Sequence, residues 1–535
     1  MKKFLLLISL TVAAAGLSAC GSSGSPTAAI STSTAPGTLD VNPPLRIASL
    51  SAAALSAELA ATSTGAELVA LTGVPVCGVD FYYLKFWTTA PLNTVTQATE
   101  SSGALMVPTG GSGCSGPRPI VLYAHGTSTN KALNIADITD TTNTEGALIA
   151  AMFAAQGYIV VAPNYAGYDI STLGYHPFLN AAQQSGEMMN ILTAARTALP
   201  NTFSSSTSDS GKLFITGYSE GGHVAMATLR AMQAAGAAVT AAAPLSGPYA
   251  LEAFGDAIFF GSVDLGSTEF TPLLTTSYQQ AYGNLYTATT DVYSTTYATG
   301  IATLLPSTTP ISTLFSEGLL PETSLFDSTT PTVSIPGQAA LSAELTAALA
   351  VPSNPANPDT PLFDLGFGSP YLVNNAYRVG YAEDAALDPD GAVSTPQAAG
   401  VPLAAAAPQW PLRLAFYQND LRNGAWVPKS PTLLCGGDQD PTVFFSVNTE
   451  TMAQFWSALP AGLVTVLDVN AAPSGAFAGI QTAFIASQAA LLTDYESAAG
   501  GSLTPAAAQA QLTENYHTNV APFCALAARS FFSQF

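Results

Sequence analysis

Short apolar segments that alternate with helix-forming segments constrain the fold of this chain more than any other feature. Segments 119–123, 158–162 and 212–216 are largely apolar, and segments with helical character lie between and after them. A strand that is apolar along its whole length is buried on both faces, and intervening helices cover a parallel sheet. The pattern therefore predicts an α/β fold, with a mostly parallel central sheet and helices on both faces. Two earlier segments, 81–89 and 104–108, also predict strands, and antiparallel pairing is open for them.

The alternation stops between residues 250 and 400 and resumes beyond them. This region contains helical pieces rich in Tyr, Thr, Leu and Ala, and four prolines lie between residues 352 and 361. A strand, a helix and a strand follow between residues 432 and 468. An insertion of this size between two halves of one sheet predicts a large, mainly helical cap over residues 250–400. The core would then comprise residues 46–249 and 401–535.

The N-terminus has the composition of an export signal. Two lysines precede an apolar stretch from residue 4 to residue 16, which is too short to span a membrane. Residues 17–20 then read Leu-Ser-Ala-Cys, which resembles the lipobox of bacterial lipoproteins; the alternative is a plain signal peptide with an incidental cysteine. The resemblance implies a signal peptide over residues 1–19 and a lipid on Cys20. Because glycine rather than aspartate follows Cys20, it also implies an exported protein held at the outer membrane or cell surface.

The charge of the chain limits its partners. Acidic residues outnumber basic ones 35 to 14, and the formal net charge is −21. Nucleic acids and anionic membrane surfaces repel such a protein. We therefore expect no nucleic-acid partner, and contact with a membrane only through the lipid on Cys20. No later segment has the unbroken run of about 18 apolar residues that a membrane helix needs. Residues 20–45, which are small, mostly polar and almost uncharged, predict a flexible tether.

The segment Gly217-Tyr218-Ser219-Glu220-Gly221 joins a predicted strand to a predicted helix. It is the only Gly-x-Ser-x-Gly segment in the chain. A serine at such a position lies on a sharp, strained turn that exposes its hydroxyl, and glycine on either side avoids steric clashes. The N-terminus of the following helix adds positive potential at the same place. The segment predicts Ser219 as a nucleophile; the alternative is a plain glycine-rich turn.

A serine nucleophile needs a base, and the chain has four histidines, at positions 125, 176, 223 and 517. In proteins with this strand–turn–helix nucleophile, the acid and then the base follow the serine in the chain. His223 lies one helical turn after Ser219 and so points along the helix. His517 is therefore the predicted base, although a surface histidine is the alternative. Asp169 and His176 precede Ser219, and we interpret them as loop structure near the site.

Two aspartates compete for the role of the acid that orients the base. Asp438 and Asp440 both follow the strand predicted at 432–435. The spacing Gly437-x-x-Asp440-x-x-Val443 is typical of the acid turn, and it favours Asp440. Asp438 would then bind backbone amides within the turn.

The segment His125-Gly126-Thr127 follows a predicted buried strand and could form an oxyanion loop. Glycine allows the backbone to approach a substrate closely. The backbone N–H groups of Thr127 and Glu220 would then receive the negative charge that develops on the substrate. An ordinary turn at the end of a strand is the alternative.

Four cysteines remain once Cys20 is set aside, and an exported protein would pair them as two disulfides. Three pairings are possible. If Asp440 and His517 touch, Cys435 and Cys524 lie close together, because each flanks one of these residues in the sequence. This favours the pairs Cys435–Cys524 and Cys77–Cys114. The cysteines are too far apart in the sequence to suggest a metal site, so we expect no metal.

Segments 124–127, 160–167 and 217–223, together with Asp440 and His517, resemble bacterial relatives of the secretory lipases. The resemblance covers roughly residues 75–535. It implies the α/β-hydrolase fold and hydrolysis of carboxylic esters, without a cofactor, on small-molecule, lipid or polyester substrates. A serine peptidase or an acyltransferase would have the same catalytic residues, and a non-catalytic surface binding protein is a further alternative. The acyl chain, the alcohol and the role of the Glu220 side chain stay open.

Overall fold

The structure of the chain is a computed structural model. It describes residues 29–140, 142–354, 357, 359–390, 407–497 and 503–535. The predicted signal peptide and Cys20 lie outside the described residues.

The core of the described chain is a nine-stranded sheet. The strands of the chain are β1 (Ala29–Ile30), β2 (Val41–Asn42), β3 (Leu45–Leu50), β4 (Gly78–Leu92), β5 (Val95–Thr109), β6 (Gly116–Ala124), β7 (Ile159–Pro163), β8 (Thr207–Tyr218), β9 (Ala241–Leu245), β10 (Phe326–Asp327), β11 (Phe367–Gly368), β12 (Thr432–Gly436) and β13 (Val464–Asp468). Their order in the main sheet is β13-β12-β9-β8-β6-β7-β5-β4-β3. Strands from β13 to β7 pair in parallel, whereas β3, β4 and β5 form an antiparallel edge that pairs with β7. The predicted parallel sheet is confirmed, and the two early strands are antiparallel.

Helices cover both faces of this sheet, as the apolar strands predict. The helices are α1 (Ala52–Leu59), α2 (Ser63–Thr72), α3 (Thr144–Met152), α4 (Ala181–Ala198), α5 (Glu220–Ala234), α6 (Leu251–Phe259), α7 (Ser267–Tyr282), α8 (Ile311–Ser316), α9 (Ala339–Ala348), α10 (Thr360–Asp364), α11 (Asn375–Leu387), α12 (Pro411–Asn419), α13 (Thr451–Phe455), α14 (Ala478–Ser497), α15 (Pro505–Glu514) and α16 (Tyr516–Phe532). Helices α4 and α5 pack on one face, and α1, α3 and α16 pack on the other. Every residue of β7 and β9 is buried between these two layers.

The insertion after β9 has an apolar core of its own. Helices α6, α7, α11 and α12 contribute to it together with the loops between them, and buried ion pairs join α12 to α6 and α11. The guanidinium of Arg413 on α12 binds Asp256 of α6, with Nε 2.8 Å from Oδ1, and Asp384 of α11, with Nη1 3.0 Å from Oδ2. The cap core therefore includes a helix that begins after residue 400.

Two parts of the fold differ from the sequence predictions. The predicted tether ends before residue 45, because Leu39 is buried and the Trp87 N–H of β4 donates to the Thr38 carbonyl oxygen. In addition, Gly475–Ser497 is long and apolar enough to cross a membrane by length and composition, and it is the one such helical segment among the described residues. Polar residues such as Gln481 interrupt this segment, so it contains no unbroken apolar run.

Candidate active site

Ser219 lies on the turn between β8 and α5, at the carboxyl end of the parallel strands. Its backbone has φ 61° and ψ −124°, a strained conformation for a residue with a side chain. A Cβ atom at Gly217 or Gly221 would lie 2.4 Å or 2.0 Å from the Ala124 carbonyl oxygen, so only glycine fits at either position. The tight packing against β6 holds the turn in shape, and it leaves the Ser219 side chain partly exposed.

Asp440 and His517 meet beside this turn. Asp440 follows β12, and its Oδ1 accepts the N–H groups of Thr442 and Val443 at 2.9 and 3.0 Å. Its Oδ2 accepts from the Ser246 hydroxyl at 3.0 Å and lies 2.6 Å from Nδ1 of His517. A carboxylate oxygen accepts, so Nδ1 is the donor in this contact, and Nε2 is left for another partner.

The His517 ring packs against Tyr218, the residue before Ser219. Their ring centroids are 4.9 Å apart, and the Tyr218 hydroxyl donates to the His517 carbonyl oxygen. Burial, together with the nearby charge of Asp440, raises the pKa of Tyr218 well above its ordinary value, so the hydroxyl stays a donor. Nε2 of His517 is buried and has no hydrogen-bond partner among the described residues. His517 thus lies beside the residue that precedes Ser219, and no hydrogen bond joins it to Ser219 in the described chain.

The structure places His517 inside α16 rather than in a polar stretch before the last helix, as the sequence suggested. Tyr516 is the first residue of this helix, and His517 is the second. The helix can begin early because Tyr516 is buried against Phe484 of α14, with ring centroids 5.6 Å apart. This packing fixes the position of His517 from one side.

The loop after β6 is held in place by side chains beneath it. Nδ1 of His125 lies 2.6 Å from the Gly126 carbonyl oxygen, and Nε2 lies 3.1 Å from that of Asn164. The Gly126 N–H donates to both oxygens of the Glu145 carboxylate, at 3.0 and 3.1 Å. These two bonds occupy the Gly126 N–H. Burial raises the pKa of Glu145, and the His125 ring and the Tyr123 hydroxyl offset only part of this rise.

The next N–H in this loop is that of Thr127. Within the described chain, neither this group nor the Glu220 N–H has a hydrogen-bond partner. Thr127 and Glu220 both line the pocket that contains Ser219. The two donors are therefore available to an oxygen atom bound next to the serine.

The Glu220 side chain points into the core and away from solvent. Its Oε1 accepts from Nε2 of Gln184 at 2.6 Å and lies 2.7 Å from Nε2 of His176. Burial by itself raises the pKa of Glu220, but the facing His176 and His125 rings and these bonds outweigh it, so that the net pKa is lowered. His176 is therefore a structural neighbour of the site. Asp169 also forms loop structure, since its carboxylate accepts from the Ser102 hydroxyl at 2.5 Å.

His223 is buried within α5, where its Nε2 donates to the Asn419 carbonyl oxygen at 3.0 Å. Burial lowers the pKa of His223 to about 4, so the ring is neutral under ordinary conditions. It has no contact with Asp440. The structure thus assigns this histidine to the junction between α5 and the cap.

The two disulfides are the pairs that the sequence favours. Cys77 is bonded to Cys114, and Cys435 is bonded to Cys524. The second bond joins the end of β12, five residues before Asp440, to α16, seven residues after His517. It therefore ties together the two elements that carry Asp440 and His517.

An apolar pocket opens onto Ser219 beneath the cap. Its volume is about 760 Å³, the open mouth included. Most of its wall is apolar and comes from α6, α7 and α12, with members Leu251, Phe254, Ile258, Phe259, Phe270, Leu274, Leu412 and Phe416. No cluster of three or more metal-ligating side chains occurs in the part of the chain that the structure describes. The site can thus hold an apolar group against an exposed serine.

No family model and no curated protein sequence matches this chain. Solved structures do. The rice cell wall degrading esterase LipA from Xanthomonas oryzae is 24% identical, with a TM-score of 0.58, over 81% of this chain and 91% of that chain. A protein of Legionella pneumophila is 16% identical, with a TM-score of 0.57, over 92% of this chain and 96% of that chain. At these identities the likeness establishes the fold.

This chain has the α/β-hydrolase fold. In an α/β-hydrolase fold the carboxyl ends of the parallel strands meet at one edge of the sheet. Residues that follow three different strands therefore come together near the Ser219 turn. Ser219 follows β8, Asp440 follows β12, and Ser246 directly follows β9. The sequence analysis did not identify Ser246 or Glu145. Ser246 could have been found as a polar residue at the end of a buried strand.

Proposed function

We propose that this protein is a serine hydrolase that cleaves carboxylic esters. Ser219 attacks the ester carbonyl carbon, and Nε2 of His517 takes the hydroxyl proton. Asp440 keeps the imidazole in the correct tautomer and stabilises the imidazolium. The observation that carries the proposal is the 2.6 Å contact between Asp440 and His517, next to a serine on a strained turn.

Two further features support this mechanism. The free N–H groups of Thr127 and Glu220 lie at the pocket beside Ser219 and would bind the oxyanion of the tetrahedral intermediate. The departing alcohol takes the proton from Nε2 of His517, which leaves the acyl group bonded to Ser219. Water then gives a proton to the same nitrogen as it attacks the acyl-enzyme, and the acid is released. The apolar pocket favours an ester with an apolar acyl part. The Xanthomonas oryzae neighbour is an esterase by name, which supports ester hydrolysis as the reaction.

Substitution of the nucleophile and the base tests this proposal. We expect Ser219→Ala and His517→Ala each to lower kcat/KM for p-nitrophenyl esters by about 10³-fold or more, without a change in the circular dichroism spectrum. A fluorophosphonate probe should label Ser219 in the wild type, as located by peptide mass spectrometry. Wild-type turnover in either folded variant would exclude the assignment.

The same purified protein separates the alternative activities. A peptide panel detects a peptidase, and added alcohol acceptors detect transfer of the acyl group instead of hydrolysis. A protein that binds esters but turns none of them over would be a binding protein on this fold. We expect hydrolysis of esters to exceed both other activities.

We also propose that the protein is exported and anchored through a lipid on Cys20. Both disulfides support export, because such bonds persist in oxidising compartments. The N-terminal sequence supplies the signal and the lipid acceptor.

A further inference from the structure

The active-site pocket has a polar strip in its otherwise apolar wall. Asp264, just before α7, lines the pocket, as do Ser267, Thr271 and Thr275 on α7 itself. The three hydroxyl residues are spaced by four, so they follow one face of the helix at intervals of about 6 Å along its axis. Apolar residues alone would suffice to hold a plain alkyl chain.

Two groups in this strip have unused hydrogen-bonding capacity. Asp264 is 4% exposed, and its Oδ1 accepts from the Ser267 hydroxyl. Its Oδ2 forms no hydrogen bond with another residue of the described chain, although the Asp264 N–H also bonds to the carboxyl group. Thr271 is partly exposed, and its hydroxyl has no described partner, whereas the Thr275 hydroxyl donates to the Thr271 carbonyl oxygen at 2.9 Å. Both residues line the pocket, so these polar atoms are open to a bound group.

Burial raises the pKa of Asp264 to about 7, although the Ser267 bond lowers it, and the nearby Asp440 adds to the rise. Around neutral pH the carboxyl group therefore spends a large part of its time protonated. In that form it can donate as well as accept a hydrogen bond. Such a group suits a neutral hydroxyl better than a second anion.

The position of the strip indicates which part of the ester meets it. The alcohol must leave before water attacks the acyl-enzyme, whereas the acyl group stays bonded to Ser219. The acyl group therefore occupies the pocket beside Ser219 through both chemical steps. Asp264 is also close to the catalytic loop, because the Leu265 N–H donates to the Pro441 carbonyl oxygen at 3.0 Å.

We propose that the polar strip formed by Asp264 and Thr271 binds hydroxyl groups on the acyl chain, so that esters of hydroxylated carboxylic acids are the preferred substrates. This inference rests on the proposed ester hydrolysis at Ser219. The apolar residues of the pocket hold the carbon chain, and the two polar side chains select the hydroxylated one. A site built to bind a hydroxyl discriminates against an analogue without it, because its own polar groups are then left unpaired.

The test compares p-nitrophenyl hexanoate with its 3-hydroxy and 6-hydroxy analogues. We expect the wild type to prefer at least one hydroxylated ester by about 10-fold in kcat/KM, the factor that one hydrogen bond commonly supplies. Asp264→Leu and Thr271→Val should each lower this preference, and the ratio of kcat/KM between the hydroxylated and plain esters is the readout, whatever the rate on hexanoate. Asp264→Asn, which still forms hydrogen bonds, should keep part of it.

Thr276→Val is the matched control, since Thr276 lies on the same helix and does not line the pocket. It should keep the wild-type ratio. If Asp264→Leu does not fold, Thr271→Val and Asp264→Asn decide the outcome. A wild-type ratio near one, or a ratio unchanged in both Asp264→Leu and Thr271→Val, would overturn this inference alone. Failure of the wild type to hydrolyse any of the three esters would instead exclude the proposed function.

Discussion

At the scale of single residues, two neighbouring aspartates have opposite surroundings. Asp440 is buried and touches His517, while Asp438 is exposed and accepts from the side-chain amide of Asn470 at 2.7 Å. Local sequence allows either to be the acid, because both are in the turn after β12. The two N–H groups that bind Oδ1 of Asp440 orient its carboxylate toward His517, and the Asp438 carboxylate is not oriented in this way.

We predict that Asp440→Asn lowers kcat by about 10³- to 10⁴-fold, because an amide can hold the imidazole in the wrong tautomer. Asp438→Asn is the matched control and should change kcat by less than about 2-fold, as expected for an exposed side chain that does not bond to the imidazole. Steady-state kinetics on a p-nitrophenyl ester measures both. The reverse ranking would assign the role of the acid to Asp438.

At the scale of elements, the Cys435–Cys524 bond joins β12 to α16 and closes a loop with a sequence separation of 89. In the chain-entropy account, a loop of this length contributes about 4 to 5 kcal/mol to the free energy of unfolding. We predict that the double variant Cys435→Ser/Cys524→Ser unfolds at a lower temperature and also loses activity. The activity falls because the acid and the base are then free to separate.

The other disulfide provides the control for this prediction. Cys77→Ser/Cys114→Ser removes a bond with a sequence separation of 37, and Cys114 precedes β6 at the opposite edge of the sheet from Ser219 and Asp440. It should lower the melting temperature and leave kcat of the folded protein unchanged. Thermal melts and ester kinetics on both variants make the comparison. Equal losses of kcat in the two variants would contradict a specific role for the Cys435–Cys524 bond.

Helix α6 carries a buried acid whose ionisation opposes folding. Glu252 is fully buried, and burial, together with the nearby charge of Asp390, raises its pKa to about 8 against the pull of Arg413. The folded protein therefore keeps a proton that the unfolded chain has lost above a pH of about 4.5. Above that pH, unfolding releases the proton, so a rise in pH favours the unfolded chain. The stabilisation from the bound proton is therefore complete at low pH and is lost as the pH rises toward 8.

We predict that Glu252→Gln removes this pH dependence, on the order of a few kcal/mol across that range. The melting temperature of the variant minus that of the wild type should therefore increase from pH 5 to pH 8.5. The exposed Glu67 supplies the control, and Glu67→Gln should follow the wild-type curve. A variant whose difference from the wild type is constant with pH would contradict the prediction.

At the scale of the whole molecule, the folded part begins close to the predicted lipid site. Leu39 is already packed on the sheet, so fewer than 20 residues separate Cys20 from the core. A lipid there would hold the enzyme near the membrane surface, while its net charge of −21 opposes closer contact with anionic lipids.

We predict that the wild type, expressed in a bacterial host, incorporates labelled palmitate and sediments with membranes. Cys20→Ser should lose the label and leave the membrane fraction, because a single polar hydroxyl cannot accept the lipid. Cys77→Ser, which removes a cysteine of a disulfide instead, should remain labelled. Label in the Cys20→Ser variant would exclude this anchor.

Much of the fold could be predicted because its signals are local. Continuous apolar runs identify β7 and β9 as strands buried on both faces, and the glycines around Ser219 identify a strained turn. Chain order leaves His223 and His517 as candidate bases, and the place of His223 one helical turn after Ser219 favours His517. These features depend on neighbouring residues or on chain order, so the sequence alone determined the sheet and the turn and predicted His517 as the base.

Only the tertiary structure decided what depends on residues far apart in the chain. It placed Asp440 rather than Asp438 against His517, turned the Glu220 side chain inward to His176, and included His517 in α16 through the packing of Tyr516. It also built the pocket from helices of the cap and placed Asp264 in its wall. Each of these outcomes is a contact between distant segments, whose free energy depends on burial and geometry that no local pattern records.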